Sequence, residues 1–329
     1  MGSTPWDDGS VRQARQPVGT GFALRDPLPW DTYTGVVREA ETAGYRALFL
    51  PEIAGRDALV ALGALAGETY VLLLGTGIVP ITSRATLLTA MAAATVHERS
   101  GGRMLLGIGT GDLGAGALDR LREEVRALRS LFAGELVERK GHQVQLSLRP
   151  GSPVPIWISC LGPRSMRLAG EIADGALLNW CPPERVAFAR ERVREGAESS
   201  GRDPALVAVG VYVRACIDED PARALDAVRE AAATYASYPA YARQFEAVGL
   251  GEEARRAAQA LRSADPSGVP ERLVREVCIL GSTHDARARL DAYRSAGADL
   301  PVVYPVPVGA PGPSIRATLD ALSPVAAAT

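Results

Sequence analysis

The regular alternation of short apolar segments with segments of helical length is the feature that most constrains the fold of this chain. Eight apolar segments are predicted strands: Val18–Leu24, Tyr45–Leu50, Tyr70–Val79, Arg103–Gly109, Val154–Cys160, Gly175–Asn179, Leu206–Ile217 and Asp299–Val306. The segments between them predict helices: Trp30–Ala43, Asp57–Gly67, Ala85–Arg99, Ala117–Phe132, Pro163–Gly170, Pro183–Glu198 and His284–Ala296. Strands that alternate with helices in this way pair in parallel through right-handed crossovers. Eight such units close into a (β/α)₈ TIM barrel, the predicted fold class.

A doubly wound open sheet is the alternative arrangement of the same elements. That fold carries a glycine fingerprint directly after its first strand, with an acidic residue about 20 positions further on. The first strand here is followed by Arg25-Asp26-Pro27-Leu28-Pro29, which has no glycine. The length of 329 residues also suits one barrel of ~250 residues with insertions. The sequence therefore predicts one TIM-barrel domain over residues 1–329.

Two stretches depart from the simple alternation. Glu135–Arg149 is predicted to form a hairpin-like excursion before the fifth strand, and residues 218–275 to form a helical insertion after the seventh. The aromatic residues of the insertion are spaced roughly as on a helix: Tyr235, Tyr238, Tyr241 and Phe245. Pro239 is predicted to break or kink that helix. The aromatic residues either pack the insertion on the barrel or form a lid over its mouth.

Composition and charge exclude several classes of function. The net charge of −2 lacks the basic excess typical of proteins that bind nucleic acids or anionic membranes. No apolar run reaches the ~20 residues of a membrane helix, and Met1–Gln16 lacks the apolar core of a signal peptide. The four cysteines show no paired spacing and no partner histidines, which argues against a metal site. We expect a cytoplasmic protein with reduced thiols.

The loop after the fourth strand is rich in small residues. In a TIM barrel the active site lies at the carboxyl ends of the strands, and Gly107-Ile108-Gly109-Thr110-Gly111-Asp112 stands there. Small residues let backbone N–H groups approach an anion, and Thr110 adds a hydroxyl donor. No lysine follows at the spacing of a Walker loop. An ordinary tight turn is the alternative interpretation.

The loops after the fifth and third strands extend this pattern. In Ser159-Cys160-Leu161-Gly162-Pro163-Arg164, Gly-Pro opens a helix whose free N–H groups favour an anion. Because the fourth and fifth strands are neighbours, their two loops predict one phosphate between them. Gly75-Thr76-Gly77-Ile78 ends the third strand, where glycines are costly unless a flat group or another backbone approaches. That flat group is an isoalloxazine-type ring, or the glycines mark a strand bulge.

Four segments in order resemble the luciferase-like monooxygenase superfamily, and within it the coenzyme F420-dependent reductases similar to methylenetetrahydromethanopterin reductase. These segments are Leu74–Ile78 with Arg84, Gly107–Asp112, Pro153–Ile158 running through Gly162-Pro163 to Leu168–Gly175, and Ile279–Ser282 followed by Leu290–Asp299. The resemblance covers roughly residues 45–305. It implies the same TIM barrel, and relatives commonly form homodimers through barrel helices.

The resemblance also implies a cofactor and its site. The cofactor would be coenzyme F420, with FMN as the alternative, and its phosphate would lie on Thr110–Gly111 and Leu161–Gly162. A non-prolyl cis peptide, here Gly77–Ile78, would support the ring. The full set of expected cofactor-binding residues is Gly77, Ile78, Thr110, Gly111, Asp112, Ser159, Leu161, Gly162 and Pro163.

The chain departs from its relatives after the second strand. Relatives often carry an acidic residue followed by histidine there, but Ile53 follows Glu52 in this sequence. The three histidines lie on predicted helices or on the hairpin excursion, and we interpret them as structural or surface residues: His97, His142 and His284. Glu52 is the candidate catalytic acid, because a partly desolvated carboxyl group can be tuned for proton transfer. The alternative role of Glu52 is a helix-start or ion-pairing carboxylate.

The function implied by these features is hydride transfer from a reduced deazaflavin to an electron-poor C=C or C=N bond of a small organic molecule. The cofactor supplies the hydride and the protein positions the acceptor. Two alternatives stay open at this point: an FMN-dependent monooxygenase, and a catalytically silent cofactor-binding protein, which the missing histidine would explain.

Overall fold

Eight parallel strands close into a barrel. A computed structural model describes residues 18–25, 28–111, 113–139 and 141–325. The barrel strands are β1 (Gly21–Ala23), β2 (Ala47–Leu50), β3 (Leu73–Thr76), β5 (Met104–Gly109), β8 (Ile156–Ser159), β9 (Gly175–Asn179), β10 (Ala208–Cys216) and β12 (Leu300–Pro305). Each pairs in parallel with the next in that order, and β12 pairs with β1 to close the ring. The predicted (β/α)₈ barrel is confirmed.

Helices connect successive barrel strands, and one more follows the last strand. They are α1 (Trp30–Thr42), α2 (Ala58–Leu65), α3 (Thr86–Arg99), α4 (Ala117–Phe132), α5 (Pro163–Ile172), α6 (Pro183–Ser199), α11 (Thr283–Ser295) and α12 (Pro311–Ala321), with α7–α10 in the long segment described below. Several begin at the residues that the sequence singles out. Asp57 caps α2 by accepting a hydrogen bond from Val60 N–H at 3.0 Å, and Pro163 is the first residue of α5.

The third predicted strand is shorter than its apolar run and is split. The prediction covered Tyr70–Val79, whereas the structure has β3 and then a short β4 (Val79–Pro80), with Gly77 and Ile78 between them. Tyr70 and Val71 are exposed, and their N–H groups donate to the Glu41 carboxylate at 2.9 and 2.7 Å. Because this carboxylate accepts the hydrogen bonds of Tyr70 and Val71, the backbone hydrogen bonding of β3 with its neighbouring strands begins only at Leu73.

The hairpin excursion consists of β6 (Val137–Arg139) and β7 (His142–Val144), which pair antiparallel. The segment after β10 contains α7 (Pro221–Ala236), α8 (Pro239–Glu246), α9 (Gly251–Arg262) and α10 (Glu271–Val277). Pro239 is the first residue of α8, so it breaks the helix as the sequence predicts. Two elements were not predicted from the sequence: α12 and the short β11 (Cys278–Leu280), which pairs with β10 outside the barrel ring.

Alternate residues of each strand fill the barrel interior. This inner core contains Ala23, Ala47, Phe49, Leu105, Trp157, Leu177, Ala208, Tyr212, Leu300, Val302 and Tyr304. Full burial of a large apolar side chain stabilises a fold by about 1.5–3 kcal/mol. Because side chains alternate along a strand, the same inward rows continue at the barrel mouth through Gly77, Gly109, Ser159, Asn179 and Arg214. Within the described residues, no helix combines the length and apolar character needed to cross a membrane.

Candidate active site

One half of the barrel mouth is built from small residues, and we call it the glycine side. It consists of residues at the ends of β3, β5 and β8: Gly77, Ile78, Gly109, Thr110, Gly111 and Ser159. A Cβ atom added at Gly109 would lie 2.5 Å from Ser159 Oγ and 2.8 Å from Ile78 Cδ1. The structure therefore brings the three predicted strand-end loops within van der Waals distance of one another.

A buried threonine holds the two central strands of this side together. The Thr76 hydroxyl donates to the Gly107 carbonyl oxygen at 2.7 Å and accepts from Gly107 N–H at 2.8 Å. A side chain at Gly107 would overlap the Thr76 carbonyl oxygen. Gly107 is thus required by the close approach of β5 to β3, and it is the later glycines of the loop that face the mouth.

Gly75 and Gly77 make room for aromatic side chains of the barrel itself. A Cβ atom at Gly75 would lie 2.6 Å from the Phe49 ring, and one at Gly77 would overlap the Tyr212 hydroxyl. The strand is interrupted at Gly77 and Ile78, between β3 and β4. The seat for a flat ring on the Gly77–Ile78 peptide stays a prediction.

The loop after β5 turns sharply at Gly111. This residue has a φ of +59°, in the left-handed region that favours glycine, and an added Cβ atom would lie 2.9 Å from Thr82 Oγ1. Thr110 is half-buried beside it, and its hydroxyl donates to the Gly111 carbonyl oxygen at a long 3.3 Å. Asp112, which the sequence analysis also assigns to the cofactor, lies outside the described residues.

The start of α5 lies beside Ser159. Leu161 and Gly162 donate their N–H groups to Ser165 Oγ, each at 3.3 Å, and the space around Gly162 is open. Both bonds are long for N–H···O geometry, so an anion with better geometry can replace the hydroxyl. The Leu161 carbonyl oxygen accepts from Arg185 Nη2 at 3.0 Å, which fixes the loop against α6.

Glu52 is paired with an arginine beside the cavity that follows β1 and β2. Its carboxylate lies 3.6 Å from Arg84 Nη1, which also contacts Asp57 at 2.5 Å. Burial raises the pKa of Glu52 above its usual value, although the Arg84 charge opposes this. The neighbouring cavity of about 180 Å³ is lined by Pro51, Ile53 and other residues that follow β1 and β2, but not by Glu52. The raised pKa suits an acid, whereas the ion pair suits the structural alternative.

None of the histidines reaches the mouth. His97 is buried in α3, with Nε2 2.9 Å from Ser152 Oγ, and His142 and His284 are exposed on β7 and α11. The cysteines are free and buried, and burial raises the pKa of Cys160, at the end of β8, to about 12.

The opposite half of the mouth is lined by large polar and aromatic residues, and we call it the aromatic side. It consists of residues of β10 and β12 and of the end of β9: Asn179, Trp180, Tyr212, Arg214 and Tyr304. The Arg214 guanidinium carbon lies 4.5 Å from the ring centroids of both Trp180 and Tyr304. Its Nη1 donates to Asn179 Oδ1. Arg214 is only 5% exposed, and among the described residues no carboxylate lies within ion-pair distance of it.

The Tyr212 hydroxyl is a second unusual group on this side. Tyr212 is buried, and within the described part of the chain its hydroxyl oxygen has no hydrogen-bond partner. Burial raises the pKa of Tyr212 well above its usual range, so the hydroxyl remains a neutral donor. An unpartnered buried hydroxyl costs about 1–3 kcal/mol, and such groups are commonly retained for function.

The helical segment after β10 holds the aromatic side in place. Gln244 of α8 donates to the carbonyl oxygens of Asn179 and Trp180 at 2.8 and 2.7 Å. The Tyr241 hydroxyl of the same helix accepts a hydrogen bond from Asn179 Nδ2 at 2.8 Å. The helices therefore both pack on the barrel and form a wall of its mouth, which joins the two interpretations of their aromatic residues.

Trp180 has a backbone conformation that few non-glycine residues adopt. Its φ is +51°, and its buried ring packs 5.0 Å from the Tyr235 ring. A left-handed conformation at a non-glycine residue costs about 1–2 kcal/mol and is found preferentially at functional sites. The two Gln244 hydrogen bonds to this segment stabilise the turn.

The residues of the aromatic side were not predicted from the sequence, although one of them, Arg214, has a recognisable sequence signal. Arg214 is the one charged residue in the strand Ala208–Cys216, which is otherwise apolar apart from its tyrosine hydroxyl. Charged residues are rarely buried without a partner. Arg214 lies two residues after Tyr212, so the alternation of side chains along the strand places both on the same side and marks Arg214 as a candidate functional residue. Asn179, Trp180 and Tyr304 carry no comparable local signal.

The closed barrel, with small residues at the ends of three neighbouring strands, defines a TIM-barrel protein, a class that binds its ligands over the carboxyl ends of the strands. The sequence profile of the luciferase-like monooxygenase family matches residues 11–300. The chain is 30% identical over 298 residues to 5,10-methylenetetrahydromethanopterin reductase of Archaeoglobus fulgidus, covering 83% of this chain and 89% of that one. This chain belongs to the luciferase-like monooxygenase family.

Two further similarities are informative. An F420-dependent glucose-6-phosphate dehydrogenase of Kineococcus radiotolerans is 33% identical over 195 residues, covering 53% of this chain and 57% of that protein. The coenzyme F420-dependent tetrahydromethanopterin reductase structure from Methanopyrus kandleri superposes with a TM-score of 0.81 at 24% identity, covering 94% and 98% of the two chains. The family prediction is confirmed, and the names of these relatives support the expected F420-dependent oxidoreductase.

Proposed function

We propose that this chain is an F420-dependent oxidoreductase that delivers hydride to an electron-poor C=C or C=N bond of a small organic substrate. The observation that carries the proposal is the convergence of three small-residue strand ends on the glycine side, next to the open start of α5. The F420-dependent relatives support the choice of cofactor. When bound, reduced F420 would supply the hydride.

The residues present fit such a cofactor. Ile78 and Ser159 both pack closely against Gly109, so the three strand ends form one continuous surface on which a ring system would lie. The Thr110 hydroxyl and the backbone around Gly111 and Gly162 offer donors to a phosphate, and the amino end of a helix favours a negative charge. We assign the tail to these residues and the ring to the Gly77–Ile78 peptide.

The chain's own contribution is to bind, orient and exclude water. The aromatic side faces the proposed ring across the mouth, so an acceptor would lie between the two sides. The wall formed by α7 and α8 shields this space, because Tyr235 and Tyr241 pack over Asn179 and Trp180. Exclusion of water strengthens the electrostatic contacts of the acceptor.

The deciding experiment is a titration of the full chain with oxidised F420 and, separately, with FMN, followed by fluorescence. We expect saturable F420 binding with at least tenfold preference over FMN. The loaded enzyme would then be reduced and mixed with an enone and with an imine. Saturable FMN binding without F420 binding would replace this proposal with the monooxygenase, and F420 binding without any turnover would favour a silent binding protein.

Glu52→Gln tests the proposed proton donor. If Glu52 protonates the product, we expect at least a 100-fold loss of turnover with unchanged F420 affinity, because general acid catalysis contributes ~10²–10⁴-fold. The matched control is Asp57→Asn, which disturbs the same arginine without removing Glu52. Full activity of the Glu52 variant would assign that carboxylate to its ion pair alone.

We also propose a homodimer, as the family resemblance implies. Helices α2 and α3 expose the apolar side chains of Val60, Leu88 and Met91, which would be covered in such a dimer. Light scattering of the eluted protein measures the mass, and a value near 35 kDa would contradict the dimer, since one chain has 34.6 kDa.

A further inference from the structure

The aromatic side contains an uncompensated positive charge. The Arg214 guanidinium is buried among the faces of Trp180, Tyr235 and Tyr304, at 4.5, 5.1 and 4.5 Å from their centroids. Aromatic faces attract a cation but do not neutralise it. In the described part of the chain no carboxylate pairs with Arg214, whereas the half-buried Arg84 and Arg190 each have one. A buried charge of this kind requires an anionic or strongly polar partner.

The hydrogen bonds of Arg214 leave donors for that partner. Its Nη1 donates to Asn179, and its Nη2 makes a weak 3.4 Å contact with the Tyr235 hydroxyl. A guanidinium has five N–H donors in a planar fork. The Tyr235 contact is the longest in this cluster, and it is the contact that a stronger acceptor would replace.

The Tyr212 hydroxyl provides a second donor at the same end of β10. Tyr212 and Arg214 are two residues apart and project to the same side of the strand, and the ring of Tyr212 lies 5.9 Å from the guanidinium carbon. The Tyr212 hydroxyl occupies the space that a side chain at position 77 would fill. It therefore lies directly beside the Gly77–Ile78 peptide, on which we place the cofactor ring. An unpartnered donor and an unpaired cation thus lie beside the place where hydride would be delivered.

We propose that Arg214 and the Tyr212 hydroxyl bind the carbonyl oxygen of an alkene conjugated to a carbonyl group, and stabilise the negative charge that this oxygen acquires on reduction. This inference rests on the proposed F420-dependent function and chooses between its two acceptors. The cationic iminium form of a C=N acceptor would meet the like charge of Arg214, whereas an enolate oxygen meets an opposite charge.

The chemical step balances without further reagents. Hydride, with two electrons, passes from the reduced deazaflavin to the β-carbon of the alkene, and a C–H bond forms there. The π electrons of the C=C bond move towards the carbonyl, which leaves an enolate with its charge on the oxygen held by Arg214. A proton then adds to the α-carbon, either from the proposed donor Glu52 or from solvent. The acceptor gains two electrons and the deazaflavin loses two, so the product is the saturated carbonyl compound.

Preorganised donors aimed at a developing oxyanion are commonly the largest single contribution to catalysis. The aromatic rings around Arg214 exclude water and so prevent the screening that would weaken it. The left-handed turn at Trp180, fixed by Gln244, holds one of these rings over the guanidinium. This explains why the chain keeps a strained residue at the end of β9.

The test uses 4-nitrophenol, whose phenolate is a planar conjugated oxyanion that resembles the enolate oxygen. The full chain is titrated with this probe over a range of pH, and the bound form is identified from its visible absorbance. Tryptophan fluorescence gives an independent measurement, because Trp180 contacts Arg214. We expect the phenolate to bind at least tenfold more tightly than the neutral phenol.

Three variants and one control test which residues produce the preference for the phenolate. Arg214→Gln should abolish the tenfold preference, Arg214→Lys should keep part of it, and Tyr212→Phe should reduce it about threefold. The matched control is Arg103→Gln, which removes a half-buried guanidinium at the opposite end of the barrel, where it donates to the Leu72 and Thr69 carbonyl oxygens. It should leave the preference unchanged. Arg214→Lys and Tyr212→Phe keep the test decisive if Arg214→Gln does not fold.

Equal affinity for phenol and phenolate, absence of binding of either form, or an unchanged preference in the Arg214 variants would overturn the inference. Failure of the proposed function has a different signature. F420 binding and turnover without a phenolate preference would refute the role of Arg214 alone. A phenolate preference that depends on Arg214, without F420 binding, would refute the cofactor and leave an oxyanion site.

Discussion

The two halves of the barrel mouth recognise ligands by different means. On the glycine side, small residues bring the backbone of three strand ends close together, and the space around neighbouring Gly162 is open. On the aromatic side, Trp180, Arg214 and their neighbours fill space with rings and a buried charge. Backbone donors suit a group that is constant, such as a cofactor, whereas side chains can be exchanged to suit a particular substrate. The difference indicates that the first half fixes the chemistry and the second the acceptor.

The two halves meet at Gly77 and Tyr212, and breaking that contact should have the largest effect. Gly77→Ala places a methyl group into the Tyr212 hydroxyl, and overpacking of this kind costs about 1–3 kcal/mol. We expect a loss of about 3 kcal/mol in the free energy of unfolding, measured by urea denaturation.

Adding Tyr212→Phe to Gly77→Ala should restore part of that loss, because the overlapping oxygen is removed while the ring carbon stays 2.9 Å from the new methyl group. A coupling of about 1 kcal/mol or more between the two substitutions is expected for residues in direct contact. Additive effects would show that the halves do not contact each other as described.

The next test separates the helical wall from the cofactor pocket. Gln244→Leu leaves the carbonyl oxygens of Asn179 and Trp180 without their donor, at a cost of about 2 kcal/mol. We expect weaker acceptor binding, seen as a raised KM, with unchanged F420 affinity. The control is Gln259→Leu on α9, where the side chain is exposed. A change in F420 affinity in the Gln244 variant would mean that the wall also shapes the glycine side.

A third substitution probes the glycine side alone. Gly111→Ala forces a left-handed φ of +59° on a residue with a side chain, which costs about 1–2 kcal/mol. F420 affinity should fall about tenfold, with an unchanged phenolate preference. Gly114→Ala is the matched control, because the space around Gly114 is open. Equal effects of the two substitutions would argue against our placement of the phosphate tail.

The smallest effect concerns the pH dependence of stability. Burial raises the pKa of Tyr212 well above 10, so the folded chain keeps a proton that the unfolded chain loses above about pH 10. The stability contribution is complete below that pH and is lost as the pH rises, by about 1.4 kcal/mol per pH unit. Tyr212→Phe should reduce this slope by that amount in urea denaturation at pH 10–11. The exposed Tyr70→Phe serves as the control, and identical slopes in both variants would contradict burial of the Tyr212 hydroxyl.

Much of the fold was predictable because its signals are local. Each barrel strand is a short apolar run between helix and turn residues, and all eight were located from that pattern. The extent of β3 was wrong because Glu41, distant in sequence, takes the N–H groups of Tyr70 and Val71. The three residues of β11 are too few for a periodic pattern, and they form a strand only because β10 is there to pair with them.

The sequence by itself determined the barrel and the glycine loops, because the alternation of strands with helices and the glycines of left-handed turns can be recognised from neighbouring residues. Tertiary structure alone decided the aromatic side. Asn179, Tyr212 and Tyr304 are far apart in the chain and meet only because β9, β10 and β12 are adjacent in the closed barrel. The closed barrel also decided which glycines face the mouth and which make room for a neighbouring strand or an aromatic ring. The sequence shows that a side chain is missing at these positions, but not which atoms occupy the space.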